Sequence, residues 1–113
     1  MGSLPITNIS DKRAKENIQF VTESFLDTVE NVPVYSFHYK NSDKRYVGIM
    51  AQDLEENLHE YAESFVSTQD TETMKNKRSL YETKLTYILW KALQEEVQER
   101  KKLEKRVEEL ENK

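Results

Sequence analysis

The stretch YETKLTYILWKALQEEVQERKKLEKRVEELENK, residues 81–113, decides the architecture. It holds no glycine or proline and is rich in strong helix formers, so it reads as one continuous helix. About 30 residues at ~1.5 Å each make a rod near ~45 Å, longer than the rest of the chain could cover. Its first half is apolar on a broad front, at Leu85, Ile88, Leu89, Trp90, Ala92, Leu93 and Val97. Its second half narrows to Leu103, Val107 and Leu110, spaced four and then three among charges. Such a helix should begin in a globular core and end as a coiled-coil seam. Left alone its charged end would fray, so self-association is expected. With Leu103 and Leu110 at d and Val107 at a, one heptad leans weakly towards two strands.

Working back from the helix, residues 67–79 form a polar connection with no apolar period, expected to be a loop or an excursion. Before it, AQDLEENLHEYAESF places Leu54, Leu58 and Tyr61 at helical spacing. Its carboxylates read as a solvated face. VYSFHYK alternates, with Tyr35, Phe37 and Tyr39 on one side, and KRYVGIM returns after the turn residues Asn41, Ser42 and Asp43. This hairpin should pack its aromatic face on a helix. TESFLDTVEN predicts a helix capped by Thr22, with Phe25, Leu26 and Val29 on one face and Pro33 beyond its end. Residues 1–9 read as an extended leader, because Pro5, Ile6, Thr7 and Ile9 disfavour helix.

Composition narrows the function classes. The chain has 113 residues, which suits one small core, and 34% of them are charged. A chain this short and wet leans on partners, most simply copies of itself. Net charge is −4, from 17 basic and 21 acidic residues of interspersed sign, which argues against a nucleic-acid footprint. No cysteine is present and the two histidines, His38 and His59, lack ligand spacing, so no metal site is expected. No apolar run approaches the ~20 residues of a membrane span. No signal peptide is evident, so the sequon at Asn8 is discounted. With only two glycines, a phosphate-cradling loop is excluded as well.

One pair has chemical logic. In NISDKRAKENI, residues 8–18, Ser10 could be a nucleophile and Lys15 its base, provided burial keeps the amine neutral. Lys12 and Arg13 would push Lys15 the same way. Positions five apart lie about 140° apart around a helix, and point to opposite sides of a strand. The two can therefore meet only around a turn, or across a subunit boundary. The plainer alternative is that Ser10 or Asp11 caps a helix, though the reciprocal capping box is missing. Spacing alone favours the cap.

Four motifs in order, SDKRAKENI, YSFHYK, YVGIMAQDLEE and LYETKLTYILWKALQEE, resemble the intramolecular chaperone auto-processing domain. That family ends phage endosialidases, tailspikes, tail fibres and neck appendages, and the resemblance runs from Ser10 to the chain's end. It implies an α+β fold, with a small hairpin-and-helix part followed by a long helix in a homotrimeric coiled coil at Leu103, Val107 and Leu110. The implied organisation is a leader over 1–9 (an expression scar plus the end of an upstream stalk), the chaperone part over 10–80 and the helix over 81–113. The resemblance also implies a serine–lysine dyad at Ser10 and Lys15 that cuts the chain's own Ile9–Ser10 bond. The implied partners are two further copies and the upstream β-rich stalk, without cofactor, metal, nucleic acid or membrane. The implied setting is the host cytoplasm during phage assembly, with release from the mature virion fibre. The other reading is a trimerisation or anchoring module that never cleaves.

Overall fold

A computed structural model describes residues 9–113; most of the expected leader lies outside this range. The fold is α+β, with two small antiparallel hairpins, two short helices and one long C-terminal helix. Helix α1 spans Phe25–Asn31 and is capped by Ser24, whose hydroxyl accepts from the Asp27 amide at 3.1 Å. The expected cap, Thr22, lies outside the helix. The shift changes the buried face: Phe25, Thr28 and Val32 turn inward, while Val29 is exposed. Spacing of three and then four from Phe25 is the stripe that α1 presents to the core. Extended Val32 ends the helix, and Pro33 cannot continue it.

Strands β1 (Tyr35–Phe37) and β2 (Tyr46–Gly48) pair with Phe37 opposite Tyr46. The strand is shorter than the alternation suggested, and its aromatic face does not pack on a helix. Instead the rings of Phe37, Tyr39 and Tyr46 pack on one another, with centroids 5.2–6.1 Å apart. An open cleft of about 970 Å³, lined by Val34, Phe37, Tyr46, Ile49 and Leu89 among others, separates hairpin from helix. A Cβ at Gly48 would stand 3.3 Å from Phe37 Cε1, so that ring would have to give by a few tenths of an ångström.

Helix α2 spans Ala51–Leu58, shorter than the 15-residue stretch that read as helical. His59 adopts φ 49°, which breaks the α-helical ladder, and a 3₁₀ segment follows over His59–Ser64. That tighter winding sets Tyr61 edge-on to Phe25 at 6.1 Å, and Phe65 meets the same ring at 6.3 Å.

The stretch 67–79, expected to be a loop, contributes to a second hairpin. Strand β3 (Val66–Gln69) pairs with β4 (Lys77–Leu80), Val66 lying opposite Leu80. Polar side chains build its turn. Asp70 accepts from the Asn76 amide at 2.8 Å, and the Thr71 hydroxyl both accepts from Met74 N and approaches Met74 O. Arg78 of β4 reaches across to Glu55 of α2 at 2.6 Å.

After a 3₁₀ turn at Glu82–Lys84, α3 runs from Leu85 to Glu111. Only one stripe of its broad apolar front enters the core: Ile88 and Ala92 are buried and Leu85 is packed beside them. Trp90, two residues past Ile88, is rotated about 200° from it and faces outward. The core itself is Phe25, Val32, Leu54, Leu58, Phe65, Val66, Ile88 and Ala92. Among the described residues, no buried side-chain polar atom is left without a partner.

Candidate functional site

Ser10 and Lys15 lie on an arm that precedes the core. Lys12–Ala14 form a single 3₁₀ turn, and Lys15 leaves it in extended conformation. The cap is Asp11, not Ser10: its carboxylate accepts from the Arg13 amide at 2.9 Å. Ser10 therefore stands outside the turn with its hydroxyl uncommitted to it. Lys15 Nζ comes back to 3.4 Å from Ser10 Oγ within the same chain. The contact is long for a hydrogen bond, and it would have to tighten before the amine could take a proton from the hydroxyl. Both residues are exposed.

Asp11 does more than cap. Its carboxylate also accepts from Arg13 Nε at 3.1 Å and from Arg13 Nη2 at 2.8 Å. The Arg13 side chain and amide hold the Asp11 carboxyl below its usual value, and Asp11 in turn raises Arg13. Arg13 is thus committed to Asp11, which removes it from the role of a free cation beside Lys15. Asp at i with Arg at i+2 around a turn was the signal for this clasp, visible only once the turn was known.

A second polar cluster was hidden by sequence distance. Glu95 of α3 accepts from the amides of Phe25 at 2.8 Å and Leu26 at 3.1 Å, the free N–H groups at the start of α1. Lys91 donates to the Glu23 carbonyl at 2.6 Å and to Glu95 at 3.2 Å. Burial pushes the Glu95 carboxyl up, but bonds from Ser24, Phe25, Leu26 and Lys91 together outweigh it and hold it below the usual range. This clasp fixes where the arm leaves the core.

The outward face of α3 forms the third feature. Leu89, Leu93, Leu103, Val107 and Leu110 are all more than half exposed. Leu89 and Leu93 recur two heptads later as Leu103 and Val107, so they continue the same exposed apolar stripe towards the helix start. Glu96 and Arg100 occupy the heptad positions between. Trp90 and Val97 flank the upper part of this stripe, forming a shallow groove with Thr86, Leu89 and Leu93.

Residues 10–62 match the family model described as Chaperone of endosialidase. The matched stretch takes in the arm, α1, the first hairpin and α2, and it starts at Ser10. The match supports an intramolecular chaperone domain over these residues, and the name of the matched family relates it to serine peptidases. No curated protein matches the chain.

Proposed function

We propose that this chain is a C-terminal intramolecular chaperone that trimerises through α3, assists an upstream β-rich phage fibre or tailspike stalk to fold, and then cuts itself away. The observation that carries the reading is the 3.4 Å approach of Lys15 Nζ to Ser10 Oγ around a capped turn. That pair sits at the first residue of the chaperone match. Ser10 Oγ attacks the Ile9 carbonyl carbon while Lys15 takes the hydroxyl proton. Lys15 then protonates the departing Ser10 nitrogen, leaving an ester that water hydrolyses. Ser10 becomes a new N-terminus.

A lysine acts as a base only when desolvated, and Ser10 and Lys15 are both open to solvent in a single chain. Cover has to come from the folded stalk or from neighbouring copies. The exposed stripe of Leu89, Leu93, Leu103, Val107 and Leu110, interrupted by Glu96 and Arg100, supports assembly, because pairing would take these apolar side chains out of water. Three copies joined at their C-termini raise the effective concentration of their stalks and shorten the search for intertwined pairing. In this reading the chaperone acts in the host cytoplasm during assembly and is absent from the finished virion fibre.

The test is expression of the chain behind its native stalk, with the products weighed by intact-mass spectrometry and the oligomer by sedimentation. Wild type should release a fragment beginning at Ser10 from a trimeric fibre, and Ser10→Ala and Lys15→Ala should stay whole. Trimers that never cleave would favour the passive anchoring module. Cleavage that persists in both variants would remove the dyad from the mechanism.

A further inference from the structure

Asp11 opens the turn that Lys15 leaves, and its carboxylate pairs with Arg13 instead of the lysine. Its carboxylate is engaged by the Arg13 amide, Nε and Nη2 at 2.8–3.1 Å. Lys15 meets only the Ser10 hydroxyl and makes no ion pair among the described residues. The charged neighbours of Lys15 along the arm are Asp11, Lys12, Arg13 and Glu16, and among the described residues no hydrogen bond or ion pair ties residues 10–16 to another element. The local charge balance is therefore set within the arm.

We propose that Arg13 is a positioning residue for self-cleavage: by gripping Asp11 it keeps a carboxylate off Lys15 and leaves the amine for Ser10. The inference rests on the serine–lysine reading above. A carboxylate beside an amine favours the ammonium form, which cannot accept a proton. The backbone half of the contact, Arg13 N to Asp11 Oδ1, builds the turn. The side-chain half controls charge. Lowering of the Asp11 carboxyl by Arg13 agrees with this division.

Arg13→Gln keeps the backbone cap and frees the carboxylate; Asp11→Asn keeps a capping oxygen and removes the charge. The experiment follows cleavage of the stalk-bearing protein against pH for wild type, Arg13→Gln, Asp11→Asn/Arg13→Gln and Ser10→Ala. With Asp11 free, Lys15 holds its proton more strongly, so the rising limb of the Arg13→Gln profile should move up by about half a pH unit. The double variant should return it towards wild type. An unmoved limb in Arg13→Gln overturns the proposal, as does a shift or loss of cleavage that the double variant retains. Wild type that fails to cleave, or Ser10→Ala that succeeds, would instead overturn the dyad beneath it.

Discussion

Two lysines in this molecule sit at similar distances from their side-chain partners and serve opposite ends. Lys91 stands 3.2 Å from Glu95 in a half-buried clasp joining α1 to α3. Lys15 stands 3.4 Å from Ser10 on a bare arm, facing a hydroxyl and no carboxylate. Around Lys91 the surroundings include Phe25, whose ring centroid is 5.3 Å from Nζ, and the carbonyl of Glu23. Around Lys15 there is solvent. The first arrangement fixes a cation as a structural tie, and the second leaves an amine waiting for cover. One region should therefore set stability with little bearing on Ser10 and Lys15, and the other should set the proposed cleavage with little bearing on stability.

The sharpest way to break this division is to begin in the core. Phe25→Ala removes the ring shared by Tyr61, Phe65 and Lys91 and should cost about 3–5 kcal/mol, read as a large drop in the thermal midpoint. A drop under ~1 kcal/mol would mean that the arm's anchor is not set by this packing.

Glu95→Ala comes next. It leaves the Phe25 and Leu26 amides without their acceptor and should cost about 2 kcal/mol in urea titrations at neutral pH. The folded-state carboxyl lies below its usual value of 4.5, so its stabilisation is complete above that value. It fades as pH falls through the lowered folded value. The gap between wild type and Glu95→Gln should accordingly narrow on acidification below 4.5; a gap that widens would reverse the assignment.

Ser24→Ala, which removes the α1 cap, should cost about 1 kcal/mol by the same titration. Smallest of all is Phe20→Ser. Phe20 is 96% exposed, so its loss should change stability by less than about 0.5 kcal/mol. If it instead weakens the assembled protein as a core residue would, the arm is covered by another copy and the contrast between the two lysines collapses on assembly.

How much of this was legible before the structure depends on how local the cause is. The long helix was readable because its signal, a run of good formers without breakers, is written in adjacent residues. The first hairpin announced itself by alternation and turn residues, though its aromatic face turned on itself. The second hairpin was hidden because its pairing is anchored by Val66 opposite Leu80 alone among apolar residues, and the intervening turn is assembled by Asp70, Thr71 and Asn76. A polar strand looks like a loop when only one of its ends is apolar. The site divided the same way. The spacing of Ser10 and Lys15 permitted a contact around a turn, while the resemblance singled the pair out. The role of Glu95 was unreadable, because its bond to Phe25 joins residues 70 positions apart.

The Lys91–Glu23 bond has a mechanical consequence. A pull applied at the arm meets the core at Val21 and then at Glu23 and Phe25. There it passes through Lys91 and Glu95 directly into the shaft of α3. The two hairpins and α2 lie beyond this junction along the chain, outside the line of tension. The clasp is thus a strain relief: the globular part can keep its shape while force runs from the arm into the long helix.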